Sequence, residues 1–290
     1  MLIYVTGVFA FIFFDYVLVL GKWGFPELKL NGSSIASIIQ YSIVIILSIT
    51  YILTNFNCKK YFSTSFFKNF NKRQALRIIN LSWPIMIDKI IIALSYIWLL
   101  ARITPMGKYA IASFDVIKNL ELFALLPALA FSQILTFLVS NKLGEQSPEG
   151  AKTTIKRILL LSSLTVAVLL FVLCYKSEFF IGLFDPKRKF THIAAPSLIL
   201  VSFLVIFDIV QLTLAGALRG AGDVKTVMWS RFIACAFFFA PLSYFLSHIS
   251  ISNYSLKIAL IYGSFYLGTL LMGIIFIRRL RGDKWQKINV

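Results

Sequence analysis

Acidic residues are scarce in this chain: there are twelve Asp and Glu against twenty-nine Lys and Arg, and charged residues make up only 14% of its 290 positions. A soluble domain carries about 25% charged residues, so an ordinary water-soluble globule is excluded. Histidine occurs twice and cysteine three times. Cys58, Cys174 and Cys235 lie within or beside apolar runs, at no spacing that suits a metal site or a disulfide framework. They read as small apolar fillers. His192 and His248 fall near the ends of apolar runs, and no nucleophile stands with a base and an orienter, so an enzyme reading has little to rest on. The runs also lack the strict alternation of outer-membrane strands.

What is present is apolar: 59% hydrophobic residues and a mean hydropathy of +0.83. Runs at 2–20, 33–55, 78–102, 109–141, 155–175, 191–218, 226–247 and 255–277 are each long enough for a membrane span, since about 20 helical residues cross a ~30 Å hydrocarbon core. The expected fold is all-α and polytopic, with about eight transmembrane helices. The longest run, 109–141, is expected to include an interfacial turn or a tilt. A net charge of +17 invites a nucleic-acid partner. The basic residues sit between apolar runs and not on one soluble domain, so that partner is rejected.

One set of connections, including the C-terminal tail, carries 18 Lys and Arg, and the other set carries 9. The positive-inside rule places the richer set, and both chain ends, in the cytoplasm of a plasma (inner) membrane. Residues 56–77, polar and basic, read as a cytoplasmic linker or as an amphipathic segment on the anionic leaflet. No basic residue precedes Lys22, so no charged leader introduces the first run. The chain is expected to begin inside a larger protein.

The most informative stretch is Asp208-Ile209-Val210-Gln211, followed by Leu214 through Asp223. It sets a carboxylate deep in an apolar run, which costs about 2.5–3.5 kcal/mol on insertion scales and marks a functional site by default. Positions 204, 208, 211, 215 and 219 share one helical face, so Asp208 and Gln211 point the same way. Such a pair can bind Na⁺, or a proton and a polar substrate group; the alternative is a structural hydrogen bond between helices. The turn with Gly216, Gly220 and Gly222 is not a phosphate loop, because Val224 precedes Lys225-Thr226. Its glycines are expected to allow close helix approach and a tight turn, with Arg219 and Asp223 forming an ion pair at a cavity mouth.

Asp115, Lys118 and Glu121 are spaced so that Lys118 can reach either acid. The acid left over carries a proton or partners Lys89. Asp88 is either a site residue or the ion-pair partner of Lys89. With the basic residues near the ends of the runs counted in the connections, Asp15, Asp88, Asp115, Glu121 and Asp208 stand within the runs against Lys89 and Lys118, which favours a cationic substrate over a lipid pyrophosphate. Phe123, Phe203 and Phe207 lie near the acids in sequence and are candidates to line a cavity for an amphipathic cation. Pro84, Pro127, Pro196 and Pro241 each remove a helix donor and can bend a span.

The 208–223 stretch resembles the tenth span and following loop of the multidrug and toxic compound extrusion (MATE) family. Four further stretches fit in order: Gly21 to Leu28 with Gly32 to Ser37, Trp83-Pro84, Ala110 to Ala130, and Val139 to Gly144. The chain is similar to spans five and six of that family's first lobe and all six spans of its second. The resemblance implies residues 1–55 as the last two helices of the first lobe, 56–77 as linker and 78–290 as the six-helix second lobe with a basic tail. It implies a H⁺- or Na⁺-coupled antiporter exporting organic or drug-like compounds by alternating access, without a further cofactor. Asp208, Gln211, Glu121 and Asp88 are then the cation- or proton-binding residues. Asp88 stands about one turn before the family's seventh-span Glu, and Asp15 stands where the family usually has Asn. The implied partners are the bilayer, a small organic substrate and a second chain supplying the missing first-lobe helices. Two other readings stay open: a flippase of the same superfamily moving a lipid-linked saccharide, and a truncated, non-transporting remnant.

Overall fold

The computed structural model describes residues 2–54, 72–283 and 285. They divide into two compact units, Met1–Leu76 and Arg77–Val290. The greater part of the expected linker, 56–71, lies outside the described residues, as does Cys58; residues 72–77 are already helical.

The first unit holds a helical hairpin, α1 (Leu2–Leu20) and α2 (Lys29–Thr54). Gly21, at φ 62°, ends α1 in the left-handed conformation, and the Lys22 amide reaches back to the Val17 carbonyl at 3.1 Å, a C-terminal cap that favours glycine. Small residues let the two helices touch. Ala36 is fully buried, and a side chain on Gly32 would meet the Leu18 backbone.

The second unit contains α3 (Lys72–Ile103, its first turn in the first unit), α4 (Lys108–Gly144), α5 (Pro148–Tyr175), short α6 (Ser177–Gly182), α7 (Thr191–Ser202), α8 (Val205–Gly220), α9 (Val224–Ile233), α10 (Ala240–His248) and α11 (Tyr254–Arg281). Seven described helical stretches are long and apolar enough to span a membrane, and α7 with α8 makes an eighth, broken span. All eight expected spans are thus found, and no strand occurs among the described residues. The 109–141 run contains no interfacial turn: α4 is one helix of 37 residues, about 55 Å long, well over the hydrocarbon thickness.

The prolines act less directly than the sequence suggests. Pro84 and Pro127 sit inside continuous helices. The break between α7 and α8 bends the chain by 51°, but it falls at Phe203-Leu204, seven residues past Pro196. Tight bonds from the Leu204 amide to Val201 (2.8 Å) and from Phe207 to Leu204 (3.1 Å) carry it. Before Pro241 the helix widens into a π segment, Ala234–Phe239, which accommodates the missing proline donor.

The glycine-rich stretch has two separate jobs. Gly216 and Gly220 lie flat against α4, where any added side chain would collide with the carbonyl oxygens of Ser132 and Thr136. Those same residues bond across, Ser132 Oγ to the Leu212 carbonyl (2.7 Å) and Thr136 Oγ1 to that of Gly216 (2.9 Å), a small-residue contact of the kind that joins helices in lipid. Gly222, at φ 80°, instead ends α8, with the Asp223 amide bonded to the Leu218 carbonyl at 2.8 Å.

Candidate functional site

Three helices of the second unit converge on Asp88. Its side chain is 1% exposed, and both oxygens face guanidinium groups. Arg219 Nη2, from α8, donates to Oδ2 at 2.7 Å; Arg231 Nε, from α9, donates to Oδ1. Arg231 is itself 3% exposed. With its amide oriented to suit its neighbours, Gln211 donates to Asp208 Oδ1 at 3.1 Å and accepts from Arg231 Nη2 at 2.9 Å. A continuous polar chain therefore runs Asp208–Gln211–Arg231–Asp88–Arg219. Two formal negative charges face two positive ones, as burial in a low-dielectric interior requires.

The helical-face argument is met: Asp208 and Gln211 sit together on α8. The amide oxygen, however, is directed at Arg231. Asp88 pairs with the two arginines, whereas Lys89 beside it is exposed. The expected Arg219–Asp223 pair is not formed. Gly222 turns the chain, so that Asp223 instead accepts from Arg279 Nε of α11 (2.6 Å) and Thr226 Oγ1 (2.7 Å).

Glu121 makes no hydrogen bond to this chain of charges, although it feels the charge of Asp208. Lys118 pairs with Asp115 at 3.2 Å on an exposed face. Glu121, 1% exposed, accepts from the Tyr266 hydroxyl of α11 at 2.9 Å, and Tyr266 lies 3.0 Å from the Tyr262 hydroxyl. Its other oxygen, Oε1, is buried with no hydrogen-bond partner.

The three candidate cavity aromatics sit in different surroundings. Phe203 is 75% exposed and lines an apolar groove of about 320 Å³ with Phe171, Cys174 and Ile206, with no acid in its lining. Phe123 is 59% exposed and Phe207 is half-buried.

Sequence reasoning missed Arg231, Tyr266 and Arg279. Arg231 falls near the start of the 226–247 run and counts with the basic residues of the preceding connection, yet it lies two turns inside the helix that starts at Val224. That depth, as for Asp208, was the available signal. With Arg219 and Arg231 counted inside the unit, the excess of acid over base there disappears. No group of three or more His, Cys, Asp or Glu side chains suited to a metal ion occurs among the described residues.

The chain is similar to the multidrug resistance protein NorM of Photobacterium profundum, 27% identical over 249 residues that cover 85% of this chain and 54% of that one. It is 24% identical to NorM of Vibrio cholerae over 235 residues, covering 80% and 51%. It therefore spans about half the length of the curated relatives it matches. Among solved structures, a MATE protein in complex with MaL6 superposes with a TM-score of 0.81 at 11% identity, over 95% of this chain and 60% of that one. The family model MatE matches residues 84–245, more than half of the chain. That segment contains Asp88, Glu121, Asp208, Gln211, Arg219 and Arg231, and the chain belongs to the MatE family.

Proposed function

We propose that this chain serves multidrug efflux, exchanging an organic compound for H⁺ or Na⁺ by alternating access, with Asp208 as the ion-exchanging group. The names of its relatives support the efflux reading. The observation that carries the role of Asp208 is its linkage through Gln211 to Arg231. Arg231 is the internal countercharge to Asp208. A proton or Na⁺ arriving at the carboxylate competes with that guanidinium electrostatically, and its departure restores the attraction acting through Gln211. An ion that exchanges with an internal cation is coupled to whatever moves α8 and α9 against each other, which is the linkage an antiporter needs. The broken span α7–α8 supplies bent geometry of the kind found where transporters bind ions.

The saccharide-flippase reading gains little from the two buried arginines. Arg219 and Arg231 are both engaged by Asp88, which leaves no unpaired positive charge in the chain of contacts to hold a pyrophosphate.

Proteoliposomes containing an efflux-competent assembly test the proposal. Asp208→Asn keeps the hydrogen-bonding shape and removes the titration. Drug movement driven by a pH or Na⁺ gradient is expected to fall to background, with abundance and membrane insertion near wild type. Dissipating each gradient separately identifies the coupling ion. Gradient-driven exchange that survives in Asp208→Asn would show that Asp208 is only a structural link between helices.

A further inference from the structure

A second charged locus lies at the end of α11 opposite the basic tail. There the C-terminus of α3, the end of α10 and the first turn of α11 enclose a pocket of about 470 Å³, within the range of small-ligand sites. Its lining includes Arg102, His248 and Lys257, with hydroxyls from Ser247 and Ser252 and apolar walls such as Met106 and Ile251. No acid lines it, and none occurs in residues 101–113 or 247–260.

Arg102 is held in place without being neutralised. Its guanidinium lies over the rings of Trp98 (4.7 Å) and Tyr244 (5.5 Å). Those rings are themselves fixed: Trp98 Nε1 donates to Ser243 Oγ at 2.8 Å, and Tyr244 packs against His248 at 4.4 Å. Cation–π contacts orient a guanidinium but accept none of its N–H groups. Arg102 Nε is buried with no hydrogen-bond partner, and no ion pair to Arg102 is formed among the described residues. Lys257 makes the same point differently. It sits in the first turn of α11, where the positive end of the helix dipole disfavours a cation. Local helix energetics do not explain a cation there, and it lines the same pocket as Arg102.

We propose that this pocket binds a phosphate-bearing anion, either the headgroup of a lipid in the leaflet at that end of the unit or a free organic phosphate. The guanidinium offers a planar pair of donors to phosphate oxygens and the ammonium a point charge; the first amides of α11 are capped by Asn253 Oδ1, and its dipole favours the same charge. The chemistry is shared by both sources; the apolar walls and open mouth suit a headgroup with its chains outside.

Native mass spectrometry of the purified full chain decides it, with dioctanoyl phosphatidylglycerol and glycerol 3-phosphate as the two probes. Saturable binding of at least one is expected, weakened about tenfold or more in Arg102→Gln and in Lys257→Gln through loss of a charge-assisted bond. Lys187→Gln, an exposed position elsewhere, serves as the charge-matched control and binds as wild type. Binding of the lipid alone names a headgroup as the source; binding of both probes names a free phosphate site. If Arg102→Gln fails to fold because it loses its stacking, Lys257→Gln carries the test alone. No saturable binding of either probe, or binding indifferent to Lys257→Gln, overturns the proposal.

Discussion

Asp88 and Glu121 are equally buried, each 1% exposed, yet they are held by opposite means. Asp88 meets two guanidinium groups that approach from α8 and α9, and neither oxygen is left over. Glu121 meets hydroxyls and no cation: Tyr266 of α11 donates to one oxygen, Tyr262 lies beside it, and the second oxygen makes no hydrogen bond. The first arrangement is a closed set of charges tying three helices. The second is a carboxyl that the fold leaves half-satisfied, which is uncommon in a native interior and asks for an explanation. Burial alone therefore says little about what an intramembrane acid does; its compensation says more.

The largest effect should come from breaking the compensated side. Asp88→Ala removes the carboxylate from both Arg219 and the buried Arg231, leaving one cation uncompensated, and is expected to cost about 3–5 kcal/mol. Thermal unfolding in detergent, or loss of accumulation in the membrane, reads it. Replacing Asp88 and Arg219 together with leucine, which keeps Arg231 for Asp208, should recover much of that loss, because apolar packing often substitutes for a buried ion pair without penalty. Unchanged unfolding in Asp88→Ala would erase the distinction between the two sites.

The uncompensated side should be far more tolerant. Glu121→Gln keeps an acceptor for the Tyr266 hydroxyl and removes no ion pair, so its stability cost is expected to stay within about 1 kcal/mol. If the variant is nearly as stable as wild type yet slow in ion-driven exchange, Glu121 is a working carboxyl in the transport cycle. A loss as large as that of Asp88→Ala would mean that Glu121 has a cationic partner in the assembled protein.

The sequence carries one half of this contrast better than the other. Hydropathy places all eight spans because backbone groups in lipid must be satisfied within helices, so long apolar runs have few alternatives. The face shared by Asp208 and Gln211 follows from helical spacing alone. What escapes is partner choice over long separations. The sequence favours Arg219 with Asp223, four residues away; the structure joins Arg219 to Asp88, 131 residues away, since Gly222 turns Asp223 toward Arg279. The pairing of Tyr266 with Glu121, separated by 145 residues, leaves no local trace. Arg231 was hidden by its place near the start of the 226–247 run, where a basic residue is readily counted with the connection although the helix has already begun.

Asp185 offers the finest test of compensation against burial, because it is 4% exposed but lies in the connection between α6 and α7. Its Oδ2 accepts from the Phe190 amide (2.7 Å), the Thr191 amide (2.9 Å) and Thr191 Oγ1 (2.9 Å). The first amides of a helix have no partner within it, so Asp185 does the work of a cap at a distance, with its charge at the positive end of α7. Burial pushes the carboxyl up, and the bonds from Phe190, Lys189 and Thr191 outweigh it, holding the group below its ordinary value of 3.8. With the folded value depressed, the unfolded chain takes up the proton first. The stabilisation is therefore complete above the ordinary carboxylate value and is lost as pH falls through the depressed one. Asp185→Asn should loosen the start of α7 and leave the polar chain at Asp88 untouched, the smallest effect of the three. Hydrogen exchange at the Phe190 and Thr191 amides measures it: wild type is expected to be better protected than the variant at neutral pH, with the difference shrinking in acid. A difference that persists unchanged in acid would mean that the shape of the side chain, and not its charge, holds the helix start.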